Sequence, residues 1–167
     1  MRTTWTDDGV DKAVTAPISL IVSAFAPVAD VRGTLTPMLP RDAGALSLVL
    51  IDIAGSRRRL GGSALAQVFG QMGNEAPDLD DPEALAAFFA FIQHHAKDSE
   101  IVAYHDVSDG GLFATLAEIA FANRCGLDIT LDGIDAATLP ALFAEELGAV
   151  VAVRTSDAAA LARAAQD

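Results

Sequence analysis

The run Ala103-Tyr-His-Asp-Val-Ser-Asp-Gly-Gly-Leu112 gathers the side chains of this chain best suited to chemistry. Asp106 and Asp109 are hard oxygen donors of the kind that hold Mg²⁺ beside phosphate oxygens. Ser108 offers a hydroxyl to a phosphate or to a helix N-terminus. Gly110 and Gly111 would let a ligand approach the backbone with no Cβ in the way. The run falls where a strand is expected to turn into a helix, the place where open α/β sheets bind ligands and free N–H groups favour anions. The same residues admit a plainer role, with Ser108 or Asp109 as an N-cap and Asp106 as a turn residue. His105, Asp106 and Ser108 share only their composition with a hydrolytic triad, because neighbours at a turn rarely have the mutual geometry a triad needs.

A second candidate is Arg58-Arg-Leu-Gly-Gly-Ser63, again ahead of an expected helix. Gly61, Gly62 and Ser63 can form an anion nest with the Arg57–Arg59 cluster adding charge, or simply a glycine-rich loop with a Ser cap. No Lys-Ser/Thr pair follows the glycines, so it is not a P-loop. Other residues read more plainly. His94 and His95 suit a solvated helix end. Cys125 suits a buried structural thiol. Glu145 and Glu146 are expected to face solvent, with contact to a cation as the other reading, and the acids between Glu75 and Glu83 form a solvated face.

The elements that must position these residues follow from periodicity. Arg2 to Val14 reads as two short strands around the turn Asp7-Asp8-Gly9. The apolar runs Ile18 to Phe25 and Leu46 to Ile53 suit strands covered on both faces. Pro27 to Pro40 reads as loop with a possible helical turn. Ser63 caps a helix with the stripe Leu65, Val68, Phe69 and Met72, ending at Gly73-Asn74. Asp81-Pro82-Glu83 opens another helix, with Leu85, Phe88, Phe89 and Ile92 on its buried face. Strand Ile101 to Tyr104 leads to a helix carrying Leu112, Leu116 and Ile119 that ends at Gly126. Strand Leu127 to Leu131, a helix near Leu139 to Glu146, strand Ala149 to Val153 and a helix capped by Ser156 complete an α/β layered domain.

Composition narrows the functional classes. The chain has 167 residues, 51% hydrophobic and 20% charged, which excludes intrinsic disorder by composition. One cysteine excludes a disulfide framework and a zinc site on paired cysteines, and points to a reducing, cytoplasmic setting. A net charge of −12 argues against broad nucleic-acid or anionic-membrane binding. The uncharged run Ala13 to Ala29 is interrupted by Pro17 and Pro27 and is too short to cross a bilayer.

Several strings together resemble the large, single-chain phosphoribosylformylglycinamidine synthases of purine biosynthesis. They are Ser23-Ala-Phe-Ala-Pro-Val28, Leu35-Thr-Pro37, Arg59-Leu-Gly-Gly-Ser-Ala-Leu-Ala-Gln67, Tyr104-His-Asp-Val-Ser-Asp-Gly-Gly-Leu-Phe-Ala-Thr-Leu116 and Glu145-Glu-Leu-Gly-Ala-Val-Val151. The resemblance covers nearly the whole chain, and its Gly-Gly-Leu element is shared across the aminoimidazole-ribonucleotide synthetase superfamily. It implies a three-layer α/β/α domain with a mixed sheet, the C-terminal domain of the aminoimidazole-ribonucleotide synthetase-like fold. Residues 1–16 would be the tail of a preceding partner domain with a linking hairpin. Residues 17–167 would be the C-terminal-type domain, truncated at its C-terminal end.

The activity implied is the ATP- and glutamine-dependent ligation that converts formylglycinamide ribonucleotide to formylglycinamidine ribonucleotide. Mg²⁺ and ATP or ADP are the implied cofactors, with Asp106 as metal ligand and Ser108 as nucleotide contact. His105, Asp109, Gly110, Gly111, Gly61, Gly62 and Ser63 are secondary candidates. The family's other metal ligands and its glutaminase nucleophile have no counterpart here. The resemblance therefore assigns them to an upstream partner domain and a glutaminase domain of the same polypeptide, and implies that this chain alone is inactive. The alternative is a domain that mainly packs against its partner and shapes the ammonia route.

Overall fold

The computed structural model describes residues 2–15, 22–131, 134 and 137–166, and the chain divides into two compact units, Met1–Val31 and Arg32–Asp167. In the first unit, β1 (Arg2–Asp7) pairs antiparallel with β2 (Val10–Thr15). Asp8 and Gly9 join them with φ of 51° and 75°, the paired positive values of a two-residue hairpin turn, so Asp-Gly does what its composition dictates. The expected strand Ile18 to Phe25 falls largely outside the described residues, and the described part from Val22 onward is not a strand.

The second unit is built on three strands, β3 (Leu46–Asp52), β4 (Ile101–Asp106) and β5 (Gly148–Arg154), in the order β3-β5-β4. Both pairings are antiparallel, so the sheet among the described residues is antiparallel, not mixed. The expected strand Leu127 to Leu131 does not form.

Strand β5 lies in the middle and is covered on both faces, as its unbroken run Ala149-Val-Val-Ala-Val153 requires. Its residues divide by period two. Val151 and Val153 join Ile51, Ile101, Ile92 and Leu161 in one core, under α2 (Pro82–Lys97) and α5 (Ala158–Ala164). Val150 joins Leu112 and Ile119 in the other, under α3 (Gly111–Asn123). Helices thus flank the sheet on both sides, and the three-layer α/β/α arrangement stands.

Local signals set the helix ends. Asp81 caps α2 by accepting from the N–H groups of Glu83 (2.9 Å) and Ala84 (3.2 Å), with Pro82 in the first turn. Phe89 turns outward on this helix, and Phe91 packs on the core in its place. Ser63 caps α1 (Ala64–Val68), but the helix stops at Phe69, before Gly70 with φ of 64°. The expected stripe is therefore cut short, and Val68, Phe69 and Met72 are exposed. Helix α3 ends at Arg124 in the left-handed conformation, not at Gly126. Beyond that end Cys125 is exposed, which corrects the expectation of a buried thiol. The remaining helix, α4 (Thr138–Phe143), sits beside α3, where the Phe113 and Phe143 rings lie 5.4 Å apart. Among the described residues no helix is long and apolar enough to cross a membrane.

Candidate functional site

Asp106 is the last residue of β4, and its backbone is held on several sides. The buried Thr115 hydroxyl donates to the Asp106 carbonyl at 3.2 Å, and His105 Nδ1 approaches the same oxygen at 2.8 Å. One residue on, the Val107 N–H donates to the carbonyl of Gly148 at the start of β5, at 2.9 Å. The Asp106 side chain, by contrast, is 64% exposed and makes no side-chain hydrogen bond among the described residues; His105 Nδ1 stands 3.7 Å from its Oδ1. Ser108 and Asp109 are exposed beside it. The turn thus presents a carboxylate and a hydroxyl to the outside from a fixed backbone. Asp106 also makes itself felt electrostatically: the Tyr104 hydroxyl is pushed above its ordinary pKa, first by burial and then by the Asp106 charge.

Neither Ser108 nor Asp109 caps α3. The N-cap is Gly110, with φ of 85° and no side-chain cap. Its N–H donates instead to Glu145 Oε1 at 2.8 Å. The glycine pair is explained by packing within the chain. A Cβ on Gly111 would lie 2.8 Å from the carbonyl oxygens of Leu142 and Ala144, and one on Gly110 would lie 2.7 Å from the Ala114 Cβ. The space the sequence reading left for a ligand is filled by the protein at both positions.

The second glycine-rich segment is similarly engaged. The Gly61 and Gly62 N–H groups donate to the carbonyls of Glu75 and Met72, both at 2.7 Å. A Cβ on Gly61 would come 2.3 Å from the Glu75 oxygen. Ser63 is fully buried; its hydroxyl donates to the Leu60 carbonyl and accepts from the Ala66 N–H. This is a packed loop with a Ser cap, and the amides a nest would use already have acceptors.

The adjacent arginines are all paired. Arg57 reaches Asp80 at 2.7 Å, Arg58 reaches Asp52 at 2.7 Å, and Arg59 bonds Glu146 and Asp80. Glu146 is only 5% exposed, which overturns the expectation that it faces solvent. Burial by itself would raise the Glu146 pKa. Its hydrogen bonds from the Arg59 side chain and backbone, with the Arg59 charge, outweigh burial and hold it below the usual 4.5. The Arg59 pKa is raised in turn, chiefly by the bond to Glu146.

Glu145, read from the sequence as facing solvent or a cation, has a different role. Its Oε1 accepts from the N–H of Gly110 and from the N–H of Ala64, each at 2.8 Å. One oxygen therefore brings together the two segments singled out from sequence. The only signal in the sequence was a pair of acids directly before a buried strand.

The histidines divide. His105 places Nε2 2.7 Å from Glu118 Oε2, so it braces the turn against α3. His94 is exposed, but the His95 ring packs against Phe91 at 4.2 Å, tilted by 49°, and pairs with Glu100, so it is not a solvated end. No group of three or more His, Cys, Asp or Glu able to hold a metal ion occurs among the described residues. A cleft of ≈ 770 Å³ lies elsewhere, between β3, α3, the residues 127–131 and Ile134, and neither Asp106 nor Ser108 lines it. A comparison with known families matches residues 48–167 to the one described as AIR synthase related protein, C-terminal domain.

Proposed function

The chain belongs to the AIR synthase-related family, of which it holds the C-terminal domain, and from that premise we propose that it is a domain of a phosphoribosylformylglycinamidine synthase. The family setting is that of ATP-dependent synthetases of purine biosynthesis; the particular reaction rests on the long strings around Ser23, Arg59 and Tyr104. In this reading the chain supplies part of a Mg-nucleotide site and works in the cytoplasm with an upstream partner domain and a glutaminase domain of the same polypeptide. It binds a small nucleotide and neither nucleic acid nor a membrane.

The observation that carries the reading is the Asp106–Ser108 turn. Thr115, His105 and Gly148 hold the backbone that carries a 64% exposed carboxylate, which leaves its oxygens open to a hard cation. Asp106 would hold Mg²⁺, and the exposed Ser108 hydroxyl would meet a phosphate oxygen. Bound there, the ion would neutralise phosphate charge. The chain's own part is to fix where that carboxylate and hydroxyl stand. A single carboxylate is an incomplete ligand set, which fits a site shared with a partner domain.

Asp106→Asn in the full-length protein tests the assignment. Asn keeps the size of Asp and serves turns as well, but lacks the charge a divalent ion needs. The variant is expected to lose nucleotide on purification and to lose its thermal response to Mg²⁺. Wild-type retention with an unchanged Mg²⁺ response would overturn the assignment. A mainly structural role draws support from the engaged amides of Gly61, Gly62 and Gly110, and that outcome would favour it.

A further inference from the structure

We infer that Glu145 is the positioning residue of the Asp106–Ser108 turn, acting by tying the start of α1 to the start of α3 through one carboxylate oxygen. The inference rests on the reading proposed above and extends it to a residue that does not itself face the ligand.

Gly110 directly follows Ser108-Asp109, and its N–H is fixed by Glu145 Oε1 at 2.8 Å. No side chain of the turn caps α3, so the anchor at this helix end is supplied from outside the helix. The same oxygen accepts from Ala64 N at 2.8 Å, so the two nitrogens lie within twice that distance of each other. A single side-chain oxygen has two lone pairs and can accept from both amides at once, which ties the two backbone segments at one point.

The anchor itself is rigid. Glu146, next in the chain, is locked on Arg59 by three hydrogen bonds. Leu147 and Gly148 continue into the central strand, where the Leu147 carbonyl accepts from Ile53 and the Gly148 carbonyl accepts from Val107. The Asp106–Gly110 turn is thus gripped at its first half by Thr115 and Gly148 and at its second half by Glu145. Ser108 lies between the two grips. Removing the second leaves the far side of Ser108 held only within the turn, by the bond from the Gly111 N–H to the Ser108 carbonyl (2.9 Å), with no tie to Glu145. Asp106 and Ser108 would then no longer be held at one separation, and a ligand contacting both would lose that pre-organisation.

The test uses Glu145→Ala, Glu145→Asp and Glu145→Gln in the full-length protein, with Mg-ADP as the probe and Asp106→Asn alongside. Hydrogen exchange is read in peptides spanning 59–66, 105–112 and 148–154. Ala removes the acceptor, and Asp keeps the charge but is one methylene too short to reach both amides. Gln keeps length and an accepting oxygen. The expected result is that Ala opens the 59–66 and 105–112 peptides together while 148–154 stays protected. The Kd for Mg-ADP should rise by roughly tenfold or more in Ala and Asp, the size of effect seen when outer-shell partners of a metal site are removed. Gln should restore both coupling and affinity to near wild type.

Opening of only one of the two peptides, or of neither, overturns the inference. So does wild-type affinity in Glu145→Ala or, should that variant not fold, in Glu145→Asp. If Asp106→Asn weakens Mg-ADP and the Glu145 variants do not, the positioning role fails and the site reading survives. If Asp106→Asn leaves Mg-ADP binding unchanged, the site reading fails and the positioning role falls with it.

Discussion

Glu146 accepts three hydrogen bonds from Arg59, from its backbone N–H, its Nε and its Nη2, each 2.8 Å long. The pair pins the 57–63 loop to the head of β5, and Asp80 adds a second carboxylate on the same guanidinium. A buried carboxylate without this partner would be costly, so the two residues stand or fall together.

The pair should make stability depend on pH. The Glu146 pKa is lowered on folding, so the unfolded chain binds the proton more readily than the folded one. The stabilisation is therefore fully present above the ordinary Glu value of 4.5 and is lost as pH falls through the lower folded value. Urea unfolding of the wild type and Glu146→Gln, followed from about pH 7 to about pH 3, checks this. The gap between the two is expected to be widest near neutrality and to close in acid. A gap that stays constant would mean that Glu146 ionisation carries no folding energy.

A contrast between two glycines tests how tightly α3 is set down. Gly111 has φ of 66°, and a Cβ there would meet three backbone atoms at 2.8 Å. Gly111→Ala combines left-handed strain of about 1–3 kcal/mol with a clash that no side-chain rotation relieves. Gly126 has open space around it and needs no positive φ. Gly126→Ala should stay within about 0.5 kcal/mol of wild type. Thermal melts of the two variants are the measurement, and equal melting temperatures would contradict the close approach of α3 to the 142–144 backbone.

What was legible in the sequence was what is written locally. Asp8-Gly9 specified the hairpin, Asp81-Pro82 specified the start of α2, and the run Ala149 to Val153 specified a strand. Asp106 and Ser108 were also placed correctly at a strand-to-helix turn. Contacts between distant segments were not legible. Glu145 and Glu146 read as solvent-facing because nothing nearby in sequence could pair with them, yet their partners Ala64, Gly110 and Arg59 come from other elements. The Gly110–Gly111 pair read as room for a ligand because a sequence shows the missing Cβ but not the Ala114 side chain and the 142–144 backbone that fill the space. Short apolar runs misled for a similar reason: Leu127 to Leu131 contributes Leu127 and Leu131 to the core beside α3 without pairing as a strand.

Asn123 offers a test of a long-range polar contact. Its Nδ2 donates to the carbonyls of Pro37 (2.9 Å) and Ile119 (2.7 Å), and its Oδ1 accepts from the Leu39 N–H (2.7 Å). One amide thus holds the 37–39 loop on the end of α3. Asn123→Ala leaves those groups to find other partners and is expected to cost about 1–3 kcal/mol. Asn123→Asp should be no better, because a carboxylate would face two carbonyls. Hydrogen exchange at Leu39 and the unfolding midpoint report the two effects, and a neutral Asn123→Ala would show that the contact does not hold the loop.

The last prediction concerns the 167-residue chain by itself. Its share of the proposed site is one carboxylate and one hydroxyl on the Asp106–Ser108 turn, and no cluster of three metal-ligating side chains occurs among its described residues. Hard divalent ions bound beside a nucleotide typically rely on more than one such donor and on the phosphates themselves. Calorimetric titration with Mg-ADP should therefore give a Kd no tighter than about 1 mM, or about 4 kcal/mol of binding free energy. Amidine formation from formylglycinamide ribonucleotide, ATP and ammonia should be undetectable. Micromolar affinity that disappears in Asp106→Asn would mean that this chain holds a nearly complete site and needs no partner domain to build it. Micromolar affinity that survives Asp106→Asn would place the nucleotide elsewhere on the chain. Either result would overturn the shared-site reading.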